Sequence, residues 1–235
     1  MAQKLFKFYS SESGEYKELF DLVLSSDTDA SSSVNRAKQY SIPTAITTDK
    51  TGKLLKNFLH TQYRTYKNEL KNAIKFAKKF DKEYGEDIKA RLESVFEYKI
   101  PQYNVRLNVQ MAGTSDWVGT NISIYAFCYL FKLNSEHNMR LCLVWETTLS
   151  QTFIAIRKKY SKQQISDKKV WAIAELTAVT IWKSEFSEYD WGNVNVGYAE
   201  LAPYQNKVLK LYKQRKNFDS YLDSAVKLFK NITIK

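Results

Sequence analysis

Apolar residues recur along one stretch of the chain at alternating spacings of four and three: Leu59, Tyr63, Tyr66, Leu70, Ala73, Ala77, Phe80 and Tyr84. That is the period of an amphipathic helix with a narrow buried seam, and Lys and Glu fill the other faces. It predicts one long helix from Lys53 to Tyr84 packed across the domain, with a dimerising coiled coil as the other use of such a seam. A helix over 86–97 follows and ends before Pro101, where the period changes to two. In YNVRLNVQM, Val105, Leu107 and Val109 alternate with Arg106, Asn108 and Gln110, the pattern of a half-exposed strand. GTSDWVGT at 113–120 offers turn residues and NISIYAFCYL resumes strand-like composition, so 103–131 reads as a hairpin or edge pair.

The helical period returns over 137–160, 167–186, 203–214 and 217–231, and Ser166 with Asp167 is placed to cap the second of these. Near the N-terminus, 4–9 reads as a short strand, 15–24 as a helix, 25–33 as a loop and 34–40 as a short helix. The segment SEYDWGNVNVGYAEL, 187–201, is long and irregular, and loops of that length carry function more often than short ones. The expected fold is one mostly α-helical α+β domain over 1–235. Its parts are a helical portion (1–100) built on the long helix, a core (101–186) with a small hairpin or sheet, and C-terminal helices (187–235).

Composition narrows this picture. With 44% hydrophobic and 14% aromatic residues the chain can bury a core, which excludes disorder. Seven Gly and three Pro supply too little turn chemistry for an all-β architecture. Cys128 and Cys142 form no C-x-x-C pair, so they read as buried small apolar residues rather than a disulfide or zinc set. The opening MAQKLFKFYSSESGEY has no apolar signal region. The longest apolar run, 122–131, is shorter than the ~20 residues a membrane span needs, so no span and a reducing, cytoplasmic setting are expected.

Candidate chemistry lies in LVWETTLSQTF, 143–153. On a helix, Cys142, Trp145, Leu149, Phe153, Ile156 and Tyr160 share one face, and Glu146 sits beside it. In the next helix Glu175 has Trp171, Ala178, Val179 and Trp182 at helical spacing. A carboxylate in such surroundings needs a partner or a raised pKa, and Arg140, Arg157 and the tyrosines are available as partners. His60 and His137 read as surface or structural histidines. No G-x-S-x-G, P-loop or G-x-G-x-x-G segment is present.

The order of elements over about 103–186, strand, turn, strand, helix with a central acid, then a second helix with an acid, resembles the core of the zincin metallopeptidases in their gluzincin branch. There an edge strand precedes a helix bearing H-E-x-x-H, and a Glu on a following helix completes the zinc site. The resemblance places Trp145-Glu146-Thr147-Thr148-Leu149 at the motif and Glu175 at the third ligand. Both zinc-binding histidines are replaced, by Trp145 and Leu149, and neither side chain has a lone pair to donate. What the resemblance then implies is a pseudoenzyme: no catalytic residue, no metal and no cofactor.

The formal net charge of +11 suits a polyanion partner, yet it is carried mainly by Lys rather than the Arg typical of phosphate and base readers. Basic residues interleave with Tyr at 157–169 and 207–216, either as a strand-stacking surface or with Tyr160, Leu209 and Tyr212 inward and lysines snorkelling outward. The leading expectation is a non-catalytic, zincin-like scaffold that engages a protein partner through a pocket of Trp145, Glu146, Leu149, Trp171 and Glu175. One alternative is a nucleic-acid-binding accessory protein using Arg157, Lys158, Lys159, Lys162, Lys168, Lys169, Lys213, Arg215 and Lys216. A second is a metal-independent hydrolase built on Glu146 and Glu175, which requires both carboxyls to face one open cleft.

Overall fold

Strand β1 (Phe6–Tyr9) begins a chain that continues through α1 (Glu12–Val23), α2 (Ala30–Gln39), α3 (Lys53–Thr65) and α4 (Lys67–Phe96). Strands β2 (Tyr103–Asn108), β3 (Ser115–Val118) and β4 (Asn121–Tyr125) follow, then α5 (Glu136–Lys159), α6 (Asp167–Glu185), α7 (Gln205–Lys213) and α8 (Phe218–Lys230). The computed structural model describes residues 4–24, 30–39, 42–109, 115–125, 135–189 and 198–233. The architecture is a mostly helical α+β fold with a small sheet. The C-terminal helices fall where the apolar period places them. Ser135 and Ser166 cap α5 and α6 by accepting from the backbone N–H groups of Asn138 and Lys169, and Asn217 forms a capping box with Ser220 on α8.

Helix α2 begins at Ala30, inside the segment expected as a loop, and two larger differences from the sequence expectation concern the long helix and the sheet. The seam from Leu59 to Tyr84 belongs to two helices, because the chain breaks at Tyr66 (φ −101°, ψ 22°) and α4 then runs unbroken through Gly85 to Phe96. Leu55 and Leu59 pack into a small N-terminal cluster with Leu19, Val23 and Ile46, whereas Leu70, Ala73, Ala77 and Phe80 enter the main core. The seam serves two different cores, and Tyr66 between them is 37% exposed rather than buried.

The sheet is the second difference. Its order is β1-β2-β4-β3: β1 and β4 both run parallel to β2, and β3 lies antiparallel at the edge beside β4. The hairpin is therefore β3–β4, turning at Gly119 with φ +59°, where a residue without Cβ is at ease. β2 is an interior strand. Its polar positions are covered by α1, where Glu18 takes the Arg106 guanidinium and Glu15 accepts the Val109 backbone N–H at 2.9 Å. The main core joins the sheet to α4, α5, α6, α7 and α8. Cys142 is buried as expected, while Cys128 and most of 187–201 lie outside the described residues. Among the described residues no helix is long and apolar enough to cross a membrane.

Candidate functional site

Helices α5 and α6 pack on each other more extensively than any other pair, which follows from apolar or small side chains on almost every face of α6 from Ala172 to Trp182. A polar network fixes α5 on the sheet. Ser150 donates to the Gly119 carbonyl at 2.6 Å, the Tyr103 hydroxyl donates to Ser150 at 2.9 Å, and Gln151 joins Tyr103 to the Tyr98 hydroxyl. These bonds satisfy groups that would otherwise be buried without partners, and they set the register of α5 against β2 and the β3–β4 turn.

With α5 held there, Trp145 points across to α6 and its indole Nε1–H donates to Glu175 Oε2 at 3.0 Å. The Trp171 indole, one turn before Glu175, also favours the charged form of that carboxyl, less than Trp145 does. Trp145 also joins Leu149, Ala174 and Ala178 in a small apolar cluster distinct from the main core. The structure therefore brings Trp145, Leu149, Trp171 and Glu175 together. Glu175 and Glu146 are each 5% exposed, so neither carboxyl lies in an open cleft, the arrangement a two-carboxylate hydrolase requires. Burial pushes the Glu175 carboxyl above its ordinary range, and the two indoles only partly offset this. The hydrogen-bond partner of Glu175 is the Trp145 indole rather than one of the arginines or tyrosines that the sequence offers. Arg140 is instead 3% exposed with its guanidinium 4.3 Å from the Tyr84 ring centroid and 3.7 Å from that of Tyr189.

Tyr198, which the sequence marked only as part of an irregular stretch, meets Trp171 edge to face with ring centroids 4.6 Å apart. It is 41% exposed and Trp145 and Trp171 are half-buried, so aromatic groups beside the buried acid are partly open to solvent. Chemically the set offers two N–H donors, ring faces and one carboxylate. It cannot bind a metal as a zincin does, since indole and leucine donate no electron pair. Among the described residues no group of three His, Cys, Asp or Glu is placed to share an ion. His60 pairs with Glu12 at 3.2 Å on the surface, and His137 stands edge-on to Trp182.

The basic residues are spread and partly committed. Arg157 and Lys162 both grip Asp167, at 2.6 and 2.7 Å, and hold its carboxyl below the usual carboxylate range. Lys159 pairs with Asp223 at 2.8 Å, the Tyr160 hydroxyl donates to the same carboxylate, and Lys169 donates to the Lys230 carbonyl. Arg215 stacks on Tyr212, 3.5 Å from the ring centroid, with Glu185 at 3.6 Å, and Tyr212 is buried with its hydroxyl on Glu185. Lys158 lies over the Tyr98 ring at 5.9 Å, while Lys168, Lys213 and Lys216 are exposed. Tyr160 and Tyr212 are thus spent on internal bonds rather than offered for base stacking. No family model matches the chain, and neither a curated protein nor a solved structure matches it.

Proposed function

We propose that the chain is a metal-free, zincin-like scaffold that works by binding a protein partner at the α5–α6 site and not by hydrolysis. The observation that carries this reading is the Trp145 Nε1–H bond to Glu175, because it joins the place of the first histidine to the place of the acidic zinc ligand. Leu149, in the place of the second histidine, packs in the same cluster as Trp145. The order of elements supports it as well: edge strand β3, then β4, then α5 with its acid, then α6 with Glu175. In this reading the indole closes the space in which an ion would sit, and the half-buried rings of Trp145 and Trp171 become the contact surface.

The test is to restore the missing ligands. The five-membered ring of indole superposes on imidazole, so a histidine at 145 can set Nε2 where the indole Nε1 stands, 3.0 Å from Glu175 Oε2 and close to the roughly 3–3.5 Å separation of two ligands of one zinc, while the space of the lost benzene ring is opened. The double variant Trp145→His/Leu149→His is expected to bind about one zinc per chain by mass spectrometry of the purified protein, and to lose it on adding Glu175→Ala. Wild type is expected to carry no stoichiometric zinc and to have no peptidase activity that depends on Glu146 or Glu175. A double variant that folds, by circular dichroism, yet takes up no zinc defeats the reading, as does a wild-type peptidase abolished by either Glu→Ala change.

A further inference from the structure

The packing of α7 against α8 leaves an open groove of about 750 Å³ whose lining holds no acidic residue. Its walls carry Lys207, Lys210 and Leu211 on one side and Lys227, Leu228 and Asn231 on the other. The three lysines are exposed, the two leucines are half-buried, and none of the lysines has an ion-pair partner among the described residues. Lys207 has only the Tyr204 ring beneath it, at 5.7 Å. Two acids of this layer have partners outside the groove lining, Asp223 in Lys159 and Tyr160 and Glu185 in Tyr212 and Arg215.

We infer that this groove docks an acidic amphipathic helix of a partner protein. The chemistry selects that occupant over two others. A leucine floor between lysine rims matches aliphatic side chains flanked by carboxylates, the helix-in-groove mode of recognition. Base readout or strand stacking would use rings or guanidinium groups, and the groove lining contains neither an aromatic residue nor an arginine, which leaves nucleic acid only phosphate contacts to the lysines. A second copy of the chain brings its own net charge of +11 to a basic surface, so the two would repel. An acidic partner gains from that charge in its rate of encounter. The surface is distinct from the α5–α6 site, so the zinc-restoration experiment and the one below succeed or fail independently.

Fluorescence anisotropy tests the inference with a labelled helical peptide of about five turns carrying Leu at helical spacing and Glu elsewhere. Two controls are a permuted peptide of the same composition without the stripe and an oligothymidylate. Wild type is expected to bind the striped peptide at least about tenfold more tightly than either control. Lys207→Glu/Lys210→Glu/Lys227→Glu and, separately, Leu211→Ser/Leu228→Ser are each expected to weaken binding about tenfold with helicity unchanged by circular dichroism. Equal binding of all three probes would reduce the groove to a general polyanion surface and overturn the inference. So would no binding, variants that bind like wild type, or a self-association that the lysine substitutions abolish.

Discussion

Glu175 sits between two indoles with its carboxyl raised by burial, and this has a measurable sign. As pH rises from the ordinary carboxyl value, 4.5, the unfolded chain releases its proton first while the folded chain still holds it. Over that window the native state binds more protons, so stability falls with rising pH until the folded value is passed. Glu175→Gln has no such proton to lose. The difference in unfolding free energy, Glu175→Gln minus wild type, should therefore grow as urea titrations move from about pH 4 to about pH 8. A difference that stays flat would mean that burial does not govern this carboxyl. Trp145→Phe keeps an aromatic side chain but removes the indole N–H and part of the ring system, and it should lower the unfolding free energy in urea titrations by at least about 0.5–1.5 kcal/mol, the range for one intramolecular hydrogen bond. At Asp167 the sign is opposite: Lys162 and Arg157 lower its carboxyl below the ordinary value, 3.8, so its contribution to stability is full above that value and is lost as pH falls through the lower folded value.

Within α4 the decisive contact is between neighbours on one face. Gly85 is buried in mid-helix, and a Cβ there would stand 2.4 Å from Asp81 Oδ1. Asp81 is itself 5% exposed, and burial pushes its carboxyl above the ordinary range, with the Phe6 backbone N–H acting the other way. Helix propensity alone favours Ala over Gly by about 0.5–1 kcal/mol. Overpacking costs about 1–3 kcal/mol, so Gly85→Ala should be net destabilising in thermal or chemical unfolding. Asp81→Ala/Gly85→Ala frees the space, and a double-mutant cycle should show positive coupling between the two changes. A Gly85→Ala protein more stable than wild type would show that the carboxylate moves aside at little cost.

Over the whole molecule, two cores are joined by a polar seam. The N-terminal cluster of Leu19, Val23, Ala37, Ile46, Leu55 and Leu59 stands apart from the main core, and α1 links them. Glu15 is fully buried and accepts from the Tyr63 hydroxyl at 2.7 Å and the Val109 N–H, while Arg106 reaches Glu18, Ser123 and Asn108. Gly14 permits this approach, because a Cβ there would lie 2.5 Å from the Arg106 guanidinium. Glu15→Ala leaves the part-buried Tyr63 hydroxyl and the buried Val109 amide without this acceptor, the amide alone worth about 1–3 kcal/mol. Hydrogen exchange should then show α1, α2 and α3 losing protection while α5 and α6 keep theirs, since the break falls between the cores. Uniform loss of protection along the chain would mean that the cores unfold as one cooperative unit.

The amino-acid sequence by itself determined what local pattern encodes. The apolar period placed α5, α6, α7 and α8 to within a few residues, Ser166 announced its own cap, and the spacing of Trp171, Ala178, Val179 and Trp182 around Glu175 marked an acid in apolar surroundings. Periodicity states which face of an element is buried, but not what it is buried against. Only the tertiary structure decided that one seam divides at Tyr66 to serve two cores, and that β2 and β4 pair in parallel with β3 as the edge. It alone decided that the Trp145 indole, rather than a guanidinium group, answers Glu175, and that Asp167 and Asp223 consume charges which look free in the sequence. The groove lysines show the same division: Lys207 and Lys210 stand in a visibly basic segment, whereas Lys227 joins them only because α8 folds back against α7. Each of these is a pairing between residues far apart along the chain, chosen by shape and by the cost of leaving a buried polar group alone.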